Sequence, residues 1–108
     1  MALNRPVSES FYEAAHDWVT LDATARLMEE SKSSIFSQKC IELGDLPVNK
    51  AEQIVRASPE WHACLQRMVD AKTKANKAKI EIEYWKMKAQ EAMSDQANER
   101  MLSRGNAA

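Results

Sequence analysis

His62 and Cys64 stand two residues apart, and with His16 and Cys40 they would supply the two imidazoles and two thiols of a tetrahedral zinc centre. Zinc sites of that kind draw their ligands in closely spaced pairs of one type, a few residues apart. No such pair occurs here, and two residues apart on a helix point to different faces. The four are therefore read as buried thiols and ordinary histidines. Glu81 and Glu83 diverge for the same reason and make no acid–base couple. No Ser-His-Asp set, metalloprotease helix or glycine-rich phosphate loop is present, and 2 glycines are too few to build a phosphate cradle. The expectation is a non-enzymatic chain with no catalytic, cofactor-binding or metal-ligating residue.

Lysines are the residues with chemistry to offer. Residues 67–88 hold seven bases against three acids, a local +4, and Lys72, Lys74, Lys77, Lys79, Lys86 and Lys88 are candidates for contact with a nucleic-acid backbone. Such contacts hold phosphates without reading sequence. The net charge of −1 and pI of about 6.1 argue against a wholesale polyanion binder, but they hide a segregation. Residues 1–60 carry ten acids and six bases, and residues 61–108 carry six acids and nine bases. Trp18, Trp61 and Trp85 could stack on bases, yet their spacing places them among apolar neighbours as core anchors. Glu91, Asp95 and Glu99 recur four apart on one face, where like charges repel mildly. That acidic row reads as a docking surface, a mimic of phosphates or a solvated face.

These groups are positioned by helices. Hydrophobic residues make up 44% and charged residues 29%, with 3 prolines, a globular balance with few turns. Phe11, Ala14, Trp18, Leu21, Ala25, Met28 and Ile35 recur at steps of three and four, which predicts an amphipathic helix over about 9–43. Ser8 or Ser10 is its expected cap, and Gly44 its expected stop. Pro47 interrupts it, and Asn49 with Glu52 has the form of a capping box, which predicts a short helix over about 50–57. Ser58-Pro59-Glu60 then starts a third helix, with Ser58 as cap and Pro59 in the first position. It is expected to run to about residue 104, roughly 45 residues or about 65 Å.

Written in heptads, that third helix has a seam of Trp61, Met68, Ala75, Ile82 and Ala89 in one column and Cys64, Ala71, Ala78, Trp85 and Ala92 in the other. Small residues in its middle admit close approach by a partner helix carrying Trp18, Leu21 and Met28. Lys72, Lys79 and Lys86 border the seam on one side, and Arg67, Lys74 and Lys88 on the other. The first helix written the same way has Asp22 and Glu29 on one flank and Asp17 on the other. An all-α, elongated antiparallel hairpin, coiled-coil-like and closed by the short helix, would set these acids against those bases. Two copies of the third helix paired about their centre would set lysine against lysine. The lysine rows thus have two readings, hairpin flanks or a phosphate track.

A single domain of 108 residues with so thin a core is expected to self-associate, most simply as a dimeric bundle. The start of the chain has no apolar run like that of a signal peptide, and no stretch approaches the length of a spanning helix. No membrane association is expected, and two isolated cysteines fit a cytoplasmic protein.

The succession of Gly44, Ala51-Glu52, Arg56-Ala57-Ser58-Pro59-Glu60, Tyr84-Trp85-Lys86 and Glu91-Ala92 through Arg100 resembles a pattern of small helical proteins of tailed bacteriophages. The likeness covers residues 27–100. Those proteins carry no assigned biochemical role and are often encoded near genes for single-strand annealing and replication. The resemblance implies a phage origin and a setting in DNA metabolism, and it supplies no catalytic residue. The leading expectation is an accessory protein of DNA recombination or replication that binds single-stranded DNA or its annealing protein. An inhibitor docking on a host nuclease or defence complex through acidic helical faces is the second reading, and a structural scaffold oligomer the third.

Overall fold

A computed structural model describes residues 5–106. They form three α-helices, α1 (Val7–Glu42), α2 (Val48–Ala57) and α3 (Pro59–Asn106), and no strand occurs among the described residues. The chain is all-α, as the spacing predicts. It divides into two compact units, one comprising residues 20–76 and the other the described residues up to Val19 together with those from Lys77 onward.

Helix ends follow backbone chemistry more than the expected side-chain caps. The Pro6 carbonyl accepts hydrogen bonds from the amides of Glu9 (3.1 Å) and Ser10 (3.2 Å), so α1 starts at Val7 and both serines expected as caps lie inside it. The Pro47 carbonyl does the same for α2, accepting from Lys50 and Ala51 at 3.0 Å each. Helix α2 therefore begins at Val48, Asn49 lies within it, and no side chain caps it. The capping-box expectation is corrected here, because a residue inside the helix is past the position where its side chain meets free amides. Ser58 is the cap as expected. Its Oγ accepts from the Trp61 amide at 3.2 Å and donates to the Val55 carbonyl at 2.7 Å. One hydroxyl thus ties the end of α2 to the start of α3. Helix α3 continues through Gly105 to Asn106.

Between α1 and α2 the chain turns at Gly44, whose φ of +84° is left-handed and favours glycine. The Gly44 amide donates to the Ile41 carbonyl at 3.0 Å, and the Gly44 carbonyl accepts from Leu46 at 2.9 Å.

The unit of residues 20–76 holds a small core of Val55, Trp61 and Cys64, against which Ile35, Phe36, Cys40, Leu65 and Met68 pack. The Phe36 and Trp61 rings meet edge to face with centroids 5.1 Å apart. Ala51 and Val55 are the buried residues of α2, while Ile54 is exposed at 41%. Leu21, Thr24 and Met28 of α1 share a small groove with Arg67, Asp70, Ala71 and Lys74 of α3. Ala75 is buried, Ala71 half-buried, and both cysteines are free thiols.

In the other unit Ala14 is buried, and Phe11, Trp18, Ala78, Ile82, Trp85 and Ala89 are half-buried. From Gln90 to Arg104 every residue is exposed, Ala92 included. Among the described residues no helix is long and apolar enough to cross a membrane.

Candidate functional site

The lysines after residue 76 surround a second apolar row on α3. At about 100° per residue, Ala78, Ile82, Trp85 and Ala89 share one side of the helix, and Ile80, Tyr84 and Met87 fall on the opposite side at spacings of four and three. This opposite row is open to solvent, with Ile80 exposed at 67%, Tyr84 at 48% and Met87 at 58%. Lys79 and Lys86, one heptad apart, border it on one side, and Lys77 and Lys88 border it on the other. All four lysines are exposed. Against Glu81 and Glu83 they leave residues 77–88 with four positive and two negative charges, a surplus of +2.

Tyr84 is held rather than loose. Its ring packs edge-on to Trp85 with centroids 5.1 Å apart, and the Lys88 ammonium lies 5.7 Å from its centroid. Lys88 also pairs with Glu91 at 3.5 Å. Lys77, Lys79 and Lys86 make no ion pair among the described residues.

In the unit of residues 20–76, Lys72 and Lys74 are exposed and also make no ion pair there. Lys74 lines the groove with Leu21 and Met28, beside Asp70, which accepts a hydrogen bond from Gln66 at 2.9 Å. Of the acids expected opposite these bases, only Asp22 has an ion-pair partner among the described residues. Asp22 pairs with Arg26 on its own helix at 2.9 Å, and neither Asp17 nor Glu29 pairs with any lysine. Every ion pair among the described residues joins near neighbours in sequence: Arg5 with Glu9 and Glu13, Arg26 with Asp22, Arg56 with Glu52, and Lys88 with Glu91. Within residues 20–76, Lys72 and Lys74 form no ion pair with Asp22 or Glu29. A stem of four methylenes lets each lysine reach solvent, where an exposed pair would gain little.

At the start of α1, Arg5 hydrogen-bonds Glu13 and approaches Glu9 at 3.6 Å. The hydrogen bond from Arg5, aided by its charge and opposed by some desolvation, holds the Glu13 carboxyl below its ordinary range. The same bond raises the Arg5 guanidinium above its own.

Trp61 is buried, and Trp18 and Trp85 are half-buried. Of the remaining seam residues, Leu21, Met28, Met68, Ala71, Ala78 and Ile82 are half-buried and Ala75 is buried. His62 is exposed while Cys64 is buried, and among the described residues no three His, Cys, Asp or Glu side chains gather as metal ligands. As a row, Ile80, Tyr84 and Met87 do not stand out in the sequence, because their three-and-four spacing runs out of phase with the stronger seam period. Comparison with protein-family models, curated proteins and solved structures returns no match.

Proposed function

We propose that this chain is a non-enzymatic phage accessory protein of DNA recombination or replication, acting in the host cytoplasm by holding single-stranded DNA along the solvent face of α3. One observation carries the reading: unpaired Lys77, Lys79 and Lys86, with Lys88, bracket an exposed apolar row centred on Tyr84. Single-strand binding without sequence preference uses these two ingredients, cations along the backbone and an aromatic face under a base. A ring contact of this kind is worth about 1–3 kcal/mol per base. Double-stranded DNA would offer phosphates but no free base for Tyr84, so single strands are the preferred ligand. Glu81 and Glu83 reduce the local field and keep the affinity modest and salt-sensitive.

The side of α3 opposite that face carries the half-buried Ala78, Ile82, Trp85 and Ala89. We read α1 and α3 as an antiparallel hairpin. The support lies within residues 20–76, where Phe36 lies against Trp61, and Leu21 and Met28 lie near Ala71 and Lys74.

Fluorescence anisotropy with labelled single- and double-stranded oligonucleotides, over a range of salt, tests the DNA reading. Single-strand affinity should fall with a log–log salt slope of up to about −3 if all four lysines meet phosphates. Changing Lys77, Lys79, Lys86 and Lys88 to Gln should flatten that slope with helicity retained. An unchanged slope, or no binding by the wild type at low salt, would remove DNA as the ligand and direct attention to a protein partner.

A further inference from the structure

A groove of about 700 Å³ opens among the three helices in the unit of residues 20–76. Its polar rim carries two cations, Lys32 of α1 and Arg56 of α2, and two hydroxyls one turn apart, Ser33 and Ser37. Phe36 and Leu65 form its apolar wall, and no carboxylate lines it. Lys32 makes no ion pair among the described residues. Arg56 is tied only loosely: one nitrogen lies 3.6 Å from Glu52, and its carbon lies over the Phe36 ring at 5.4 Å from the centroid. The rest of its planar fork is available to a second carboxylate. The surface asks for an anionic group beside an aliphatic side chain.

This chain carries a matching surface. Asp95, Glu99 and Leu102 follow at steps of four and three and share one face near the end of α3. All three are exposed, Leu102 at 69%, and neither acid makes an ion pair among the described residues. Arg100 and Arg104 fall on the other side of the helix. Two carboxylates one turn apart repel each other, which disfavours an isolated helix end by about 0.2–0.5 kcal/mol. Two cations placed against them would reverse that sign.

We propose that the groove lined by Lys32, Arg56, Phe36 and Leu65 receives the Asp95–Glu99–Leu102 face of a second copy of this chain. The carboxylates meet Lys32 and Arg56, and Leu102 lies on Phe36 and Leu65. When each copy fills the other's groove, two equal contacts close a dimer, as two-fold symmetry requires. The lysines of residues 77–88 take no part, so this assembly stands apart from DNA binding.

Sedimentation velocity of the full chain, without nucleic acid, provides the test. The wild type should dimerise as concentration rises. Lys32→Glu with Arg56→Glu in one variant, and Asp95→Lys with Glu99→Lys in another, should each weaken the dimer by at least about tenfold. Circular dichroism checks that each variant keeps its helicity, and mixing the two should restore a dimer, because each reversed surface then meets its complement. A wild type that stays monomeric, variants that dimerise unchanged, or a mixture that stays monomeric would each overturn the proposal.

Discussion

The Phe36 and Trp61 rings meet at 61° with centroids 5.1 Å apart, joining α1 to α3 beside the short helix that connects them. Trp61 is only 6% exposed, and the edge-to-face pairing adds about 0.5–1.5 kcal/mol beyond the area it buries. With so few residues fully buried, this contact is a large part of what orders residues 20–76. Trp61→Ala should therefore lower unfolding free energy by about 3–5 kcal/mol in urea denaturation. A double-mutant cycle with Phe36→Leu should show coupling of about 0.5–1.5 kcal/mol. Additive effects would mean the two rings do not meet in solution.

The Ser58 hydroxyl bridges two helices, whereas Asn49, its sequence-level counterpart for α2, caps nothing. Ser58→Ala should destabilise by about 1 kcal/mol. Asn49→Ala should leave thermal stability within about 0.5 kcal/mol of wild type. Equal losses at the two positions would contradict the assigned helix starts.

These two positions show what could be read from the residues. Ser58-Pro59-Glu60 is a local signal, complete within one turn, and it marks the start of α3 correctly. Asn49-x-x-Glu52 has the same form, but the Pro47 carbonyl starts the helix two residues earlier, and no side-chain pattern reveals a carbonyl's direction. The steps of three and four from Trp61 to Ala89 mark the shielded side of α3, because burial on a helix has the helix's own period. Charge pairing was not legible. Opposite charges on facing flanks suggest pairing, but long solvated side chains find neighbours one turn away, as Asp22 does with Arg26. The row of Ile80, Tyr84 and Met87 and the groove at Arg56 are not legible in the residues, for different reasons: one is weaker than the seam, and the other needs three helices to come together.

Two sides of α3 should respond oppositely to charge. Ala75 is 3% exposed, so Ala75→Glu forces a carboxylate into a shielded site and should cost several kcal/mol or unfold the chain. Ile80→Glu, on the solvent row, should change stability by no more than about 0.5 kcal/mol while weakening single-strand binding. Comparable melting temperatures for the two variants would mean α3 is rotated from the orientation described.

Gly44 adopts φ +84°, and a Cβ added there would meet nothing within 4 Å. The penalty for Gly44→Ala is thus backbone strain alone, about 1–2 kcal/mol, and Gly44→Asn should be milder because asparagine tolerates the left-handed region. Chemical denaturation of the two variants checks the order; alanine no worse than asparagine would argue against the left-handed turn.

Glu13 titrates below its ordinary range because Arg5 hydrogen-bonds its charged form. A depressed folded-state pKa contributes stability above the unfolded carboxylate value, and that contribution disappears as pH falls through the folded one. Arg5→Gln should return the Glu13 carboxyl shift to an ordinary midpoint in NMR titration. It should also remove the associated acid-side loss of order at the start of α1. A midpoint unaffected by the substitution would assign the depression to another cause.

Cys64 is enclosed in the small core and Cys40 lies half-covered at its margin, both as free thiols. The chain thereby contains its own stopwatch for breathing of that unit. An alkylating reagent reaches Cys40 through the folded surface, but it reaches Cys64 only in moments when Trp61 and Val55 part. The interval between the first and second mass increments measures how rarely those moments come. Ligands or partners that clamp the three helices together would lengthen that interval without any label having been introduced.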